Sequence, residues 1–231
     1  MLFRSHLKNV VYLVLPVIAH VLWVADALPE LHLRLASVCR RSRNLPDVML
    51  KFAGYDIVFQ EIPDEVTLAL NLSGCPNGCP GCHSPHLQRD EGEALTPGAL
   101  ERLLERYGRE ITCVCFMGGD AAPGEVAALA RHIAHTTGGT IRTGWYSGRP
   151  ALPPEFDPLA FDYVKLGPYR EKLGGLNCRT TNQRLYRIVR TGSRSDGHGS
   201  PDDRSPNAGT AARPAGSLFR MTDITSRFWR H

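Results

Sequence analysis

Three cysteines fall within eight residues of this 231-residue chain, in the run Ser73-Gly74-Cys75-Pro76-Asn77-Gly78-Cys79-Pro80-Gly81-Cys82-His83. The spacing is C-x3-C-x2-C. Proline without an amide donor and glycine without a Cβ break helix and strand alike, so this segment reads as a loop. Such a loop can fold three sulfurs around one centre. The residues before it alternate. Val66, Leu68, Leu70 and Leu72 form one face, and Thr67, Ala69 and Asn71 the other. That period of two predicts a strand over 65–72 with one greasy and one small or polar face. Any fold for this chain must therefore carry a thiol-rich loop at the end of a strand.

The pattern continues as alternating helix and strand. Residues 97–107 read as helix. Thr96 is a capping residue, Pro97 suits the first turn, and Leu100, Leu103, Leu104 and Tyr107 share a face before Gly108. Residues 111–117 (ITCVCFM) read as an apolar strand of the kind buried in parallel sheets. Residues 123–136 are helical again through Val126, Leu129, Ala130 and Ile133, with Gly138-Gly139 as the stop. Residues 140–146 and 161–166 predict two further strands, and 183–189 a weaker one. This alternation implies an α/β fold with a parallel sheet, whose ligands sit at the C-terminal ends of the strands. No repeat of fixed period is visible.

The two ends differ from the middle. Residues 1–48 hold six basic and three acidic groups, 49–192 hold 15 and 16, and 193–231 hold six and four. The net charge of +4 therefore sits in the tails. A nucleic-acid-binding core would instead place Lys and Arg on its folded surface. Hydrophobic residues at 42% and charged residues at 22% argue against wholesale disorder and against a polytopic membrane protein. Seven cysteines, odd in number and clustered, do not form a disulfide framework.

Residues 10–25 are almost wholly apolar behind Lys8, with a small-x-small step at Ala25-Asp26-Ala27. This is the outline of a signal peptide, while Pro16 and His20 interrupt it as a membrane span. An export signal, a weak anchor, and upstream sequence translated from an early start codon are the three readings. The last is favoured, because the run from Met49 to Tyr55 reads as a natural start. Residues 193–217 contain no large apolar side chain, cannot offset their ordering entropy, and read as a disordered insertion or linker. Residues 218–231 regain Leu218, Phe219, Met221, Ile224, Phe228 and Trp229, and read as a short segment that docks back. The expected organisation is thus an extension over 1–48, a domain over 49–192, a low-complexity segment over 193–217 and a terminal segment over 218–231.

Thiolates select zinc, copper(I) or iron–sulfur clusters. A structural zinc site closes with four ligands. His83, adjacent to Cys82, would strain that geometry, whereas His86 can reach. A 4Fe–4S cluster held by three cysteines keeps one iron open to a substrate. Spacing favours the cluster and leaves zinc as the alternative.

With a strand before it and α/β alternation after it, C-x3-C-x2-C resembles the radical S-adenosylmethionine (SAM) superfamily. The resemblance implies a partial β/α barrel, with Cys75, Cys79 and Cys82 as ligands of a 4Fe–4S cluster and the open iron chelating SAM. The family usually has an aromatic residue before the third cysteine, where this chain has Gly81. Cys79-Pro80-Gly81-Cys82 is instead similar to the activating proteins of anaerobic ribonucleoside-triphosphate reductase. Gly118-Gly119-Asp120 resembles the family's Gly-Gly-Glu/Asp motif, which meets the amino group of SAM. Thr143-Gly144-Trp145-Tyr146 resembles the activators' Thr-Gly-Tyr stretch with a Trp inserted, and Arg179-Thr180-Thr181-Asn182-Gln183-Arg184 resembles their Ser-Asn-Gln-Arg stretch. The match spans roughly residues 49–192.

By this resemblance Gly81, Cys82, His83, Gly118, Gly119 and Asp120 contact SAM. The implied activity is reductive cleavage of SAM to methionine and a 5′-deoxyadenosyl radical. That radical removes hydrogen from a glycine of the reductase's glycyl-radical subunit. A low-potential electron donor is the second implied partner, no nucleic acid or membrane is expected at the core domain, and the oxygen-sensitive centre implies a cytoplasmic location. The rivals are an activase of another glycyl-radical enzyme or a peptide-modifying radical SAM enzyme, a non-catalytic zinc-binding module, and an inactive product of a damaged reading frame.

Other residues carry weaker expectations. Thr67 and Asn71 lie on the strand face that looks into the cavity or simply packs. Lys165 falls in an apolar strand, and a buried lysine needs a partner, for which a SAM carboxylate is one candidate. Cys113 and Cys115 are expected in the core, Cys178 partly exposed, and His132 and His135 on a helix surface. The Arg-rich stretch from Arg179 reads first as a solvated face.

Overall fold

The computed structural model describes residues 49–154, 156–190 and 219–229. The expectations for residues 1–48 and 193–217 lie outside them. In chain order the elements are β1 (Lys51–Val58), β2 (Thr67–Leu72), β3 (Glu93–Ala94), α1 (Pro97–Tyr107), β4 (Cys113–Met117), α2 (Pro123–Thr136), β5 (Arg142–Tyr146), β6 (Tyr163–Leu166), β7 (Arg184–Arg190) and β8 (Phe219–Asp223). Short 3-10 turns occupy Pro85–Gln88, Pro158–Ala160 and Thr225–Trp229. All eight strands join one sheet, ordered β3-β1-β2-β4-β5-β6-β7-β8. The central four, β2, β4, β5 and β6, are parallel. Antiparallel strands flank them on both sides. The chain is α/β, with the mixed sheet built around the parallel strands that the sequence predicts.

Register gives the two faces different work. Leu68 pairs with Val114 and Leu70 with Phe116, and Phe116 in turn pairs with Trp145. These side chains belong to the main core, together with Leu100, Leu103 and Leu104 of α1 and Val126, Ala130 and Ile133 of α2. Thr96 caps α1, its hydroxyl accepting from the Ala99 amide at 3.1 Å. Trp145 is fully buried and stacks on Phe156 and Phe161 at centroid distances of 5.1 and 6.0 Å.

The opposite face carries Cys113, Cys115, Tyr146, Tyr163 and Leu185 as a second, smaller cluster closed by Ile62. Ile62 lies on the β1–β2 connection, which folds back beneath this face. A Cβ on Gly144 would stand 2.6 Å from the Ile62 side chain, so only glycine fits there. Near the strand starts, the buried Glu65 carboxylate accepts from Thr112 Oγ1 at 2.5 Å, from the Tyr163 hydroxyl at 2.7 Å and from the Arg142 guanidinium. That network fixes the lower end of the sheet.

Three strands were not anticipated. β1 falls in the run that reads as a natural chain start, where alternation is poor and a bulge between Phe52 and Gly54 breaks the strand. β3 is two residues long. β8 pairs antiparallel with β7 from Tyr186–Asp223 to Arg190–Phe219. Among the described residues no helix is long and apolar enough to cross a membrane.

Candidate functional site

A cavity of about 920 Å³ lies at the C-terminal ends of the parallel strands. Cys75, Cys79 and Cys82 all line it. The three thiols are free and half-buried. Their loop leaves β2 under tight backbone control. The Ser73 amide donates to Lys51 O at 3.0 Å, and its hydroxyl donates to Glu91 O at 2.6 Å. The Gly74 and Cys75 amides donate to Arg89 O and Leu87 O, each at 2.9 Å, and the Cys82 amide to Cys79 O at 3.2 Å. Gly78 and Gly81, at φ +55° and +73°, turn the chain in the left-handed region where other residues are strained.

Among the described residues no three His, Cys, Asp or Glu side chains converge on one metal position. Three free thiols lining one cavity are a donor set chemically suited to zinc, copper(I) or an iron–sulfur cluster.

The SAM-contact residues expected from sequence divide into two groups. Cys82, His83, Gly118 and Asp120 line the cavity. Gly81 and Gly119 are not among its lining residues. A Cβ on Gly81 would meet the Glu171 carboxylate at 3.0 Å, so Glu171 packs over this glycine. A Cβ on Gly119 would meet Val126 and Leu72 at 2.6 and 2.8 Å, which places that glycine against the core. His83 stacks on Tyr169 at a centroid distance of 4.5 Å, and its Nε2 hydrogen-bonds the tyrosine hydroxyl at 3.0 Å.

Asp120 is fully buried. Its Oδ1 accepts from Ser147 Oγ at 2.6 Å, and its Oδ2 accepts from Asn77 Nδ2 at 2.5 Å and from the Gly148 amide at 2.8 Å. Arg149 adds a bond from Nη2 to the Asp120 backbone oxygen at 2.7 Å, and its Nε stands 3.9 Å from Oδ1. Lys165 points into the cavity from β6, buried beside the Tyr146 ring. Its Nζ donates to Gly167 O at 2.9 Å and Ser147 O at 3.3 Å. Burial pulls its pKa down to about 8, against the opposing pull of Asp120, Cys79, Glu61 and Cys115. Burial also raises the Glu61 carboxyl, while Lys165 and the Tyr146 hydroxyl partly offset that rise.

Of the remaining candidates, Asn71 lines the cavity, while Thr67 is fully buried and outside its lining. Cys113 and Cys115 are buried, and burial pushes both thiols well up. Cys178 is half-buried, and its sulfur lies over Gly174. His132 pairs with Glu101 across the two helices at 2.9 Å, and His135 is exposed. In the arginine-rich stretch Arg184 pairs with Asp223 and Arg190 with Asp162. Asn77, Ser147, Gly148, Arg149, Glu61 and Tyr169 join the site without having been singled out from sequence. Of these, Asn77 alone carried a signal, its position between the first two cysteines. In comparisons with protein-family models, with curated proteins and with solved structures, nothing matches this chain.

Proposed function

We propose that the chain is a radical SAM enzyme with a partial β/α barrel, an activase that forms the glycyl radical of anaerobic ribonucleoside-triphosphate reductase. One observation carries this reading. The C-x3-C-x2-C loop after β2 and the Gly-Gly-Asp turn after β4 border the same cavity, at the ends of parallel strands. Two motifs that are separate in sequence meet where an α/β sheet binds its ligands.

When bound, the cluster and SAM supply a one-electron cleavage of a sulfonium carbon–sulfur bond. Cys75, Cys79 and Cys82 would hold the cluster. Lys165 is an ammonium without a salt-bridged carboxylate among the described residues, and it would meet the methionine carboxylate of SAM. With a pKa of about 8, it keeps its proton at neutral pH. His83 and Tyr169 offer aromatic surface beside Cys82. The cavity is large enough to bury most of a small cofactor, and its open side would admit a flexible glycine-bearing segment of the partner. A low-potential donor and a cytoplasmic location belong to the same reading, because the centre needs electrons and a reducing compartment.

The test is anaerobic. The chain is purified, reconstituted with iron and sulfide, reduced with dithionite and given SAM, and 5′-deoxyadenosine is assayed. The expected result is product with the native chain and none with Cys79→Ala. Addition of the anaerobic reductase should then give a glycyl radical signal by electron paramagnetic resonance. Tightly bound zinc without iron or product overturns the enzyme reading in favour of a zinc module.

A further inference from the structure

We infer that Asp120 is a positioning residue, which straps the cysteine loop to the turn after β5 through Asn77 and so sets where Cys75 sits. The inference deepens the reading of the site above, and departs from the expectation that this carboxylate grips a ligand's amino group. An ionised carboxylate has about four acceptor positions. Asp120 already receives Ser147, Asn77 and the Gly148 amide, with Arg149 beside Oδ1. Three of these positions are filled, and a ligand ammonium aimed at the last, on a fully buried Oδ1, would have to stand against the Arg149 guanidinium, whose Nε lies 3.9 Å away. The donors belong to different loops. Asn77 follows β2, and Ser147 and Gly148 follow β5, while Asp120 itself follows β4. One buried charge therefore ties together the ends of three neighbouring parallel strands.

Asn77 is the link to the thiols. It stands between the first and second cysteines, and the Nδ2 that donates to Asp120 also lies 3.5 Å from Cys75 Sγ. Gly148 gives independent support from sterics. A Cβ there would stand 2.4 Å from Asn77 Nδ2 and 2.8 Å from its Cγ. The turn after β5 accepts the Asn77 side chain only because residue 148 is glycine. Polar bonding and close approach thus converge on the same side chain.

The test is read on the reduced, metal-free full-length chain, by the rate at which iodoacetamide alkylates each cysteine, resolved by peptide mass spectrometry. Asp120→Ala and Asn77→Ala should each speed alkylation of Cys75 about ten- to a hundredfold, the range expected for losing one hydrogen bond to a charged group. Gly148→Ala should do the same without removing any polar group. Cys178 should be unaffected in all three. The double variant Asp120→Ala/Asn77→Ala should label Cys75 no faster than the single ones, because the two residues act as one strap. Should Asp120→Ala unfold the chain, seen as labelling of Cys113 and Cys115, the Asn77 and Gly148 variants decide the matter. Unchanged Cys75 rates in those variants, or in a folded Asp120→Ala chain, would overturn the strap. Because the readout needs neither iron nor SAM, the strap can hold while the enzyme reading fails, and the two failures are told apart.

Discussion

Lys165 shows how one side chain can oppose the fold it belongs to. The residue is only 8% exposed, and burial is the largest influence on its pKa, lowered from 10.5 to about 8. Carbonyls of Ser147 and Gly167 satisfy its donors, but no carboxylate reaches salt-bridge distance among the described residues. The sign of the pH effect follows from proton counts. Below pH 8 both folded and unfolded chains carry the proton, and the folded state bears the full cost of the buried charge. Between pH 8 and 10.5 the unfolded chain binds more protons, so stability rises with pH. The shift amounts to about 3 kcal/mol. Lys165→Met removes the titration along with the two carbonyl bonds, and those bonds do not titrate. Urea unfolding at pH 7.5 and 10.5 should therefore show the native chain gaining about 3 kcal/mol relative to the variant. A difference that stays flat over this range would show that the lysine is not held in a low-dielectric site. A ligand carboxylate beside Lys165 would relieve the same cost.

At the scale of elements, the β1–β2 connection does more than join two strands. Its Ile62 is fully buried against Cys113, Cys115 and Tyr146, and the Tyr146 hydroxyl donates to the neighbouring Glu61 carbonyl. The connection thereby closes the sheet face beneath the cavity. Ile62→Ala should destabilise the chain by about 2–5 kcal/mol, the usual range for truncating a buried isoleucine. Chemical denaturation measures it, and a loss under 1 kcal/mol would mean that this connection does not seal the face. Nothing in the sequence announced this role, for a physical reason. A single apolar residue between Glu61 and Pro63 has no periodicity, and its burial depends on a glycine 82 positions later, at Gly144. The elements that were legible, β2, α1, β4, α2, β5 and β6, bury a continuous stripe or a whole strand, and hydrophobic spacing records that directly. β1 buries mainly Phe52 and escaped notice. The site divides in the same way. The cysteines were visible because thiols at close spacing are chemically distinctive. Ser147, Gly148 and Tyr169 were not, because small polar or lone aromatic residues in loops gain meaning only through tertiary contact.

Across the whole molecule, rigidity is graded toward the site. β4 and β5 lie at the centre of the parallel strands, paired on both edges and covered on both faces. Their amides should open only with global unfolding. The cysteine loop starts at the end of adjacent β2, but it is held differently. The Gly74 and Cys75 amides bond to Arg89 and Leu87, which lie on the returning arm of the same loop. Those bonds can break while the sheet stays intact. Native-state hydrogen exchange on the metal-free chain should therefore give two classes. Val114 to Phe116 and Gly144 to Trp145 should report the global stability. Gly74 and Cys75 should exchange through a local opening about 3 kcal/mol or more below it, on the scale that separates loop opening from global unfolding. Such a gap would suit the proposed cluster site, in which the loop parts while Asp120 keeps its base aligned with the strand ends. Equal protection in both classes would mean that the three thiols are held as rigidly as the sheet, and that the loop does not open locally.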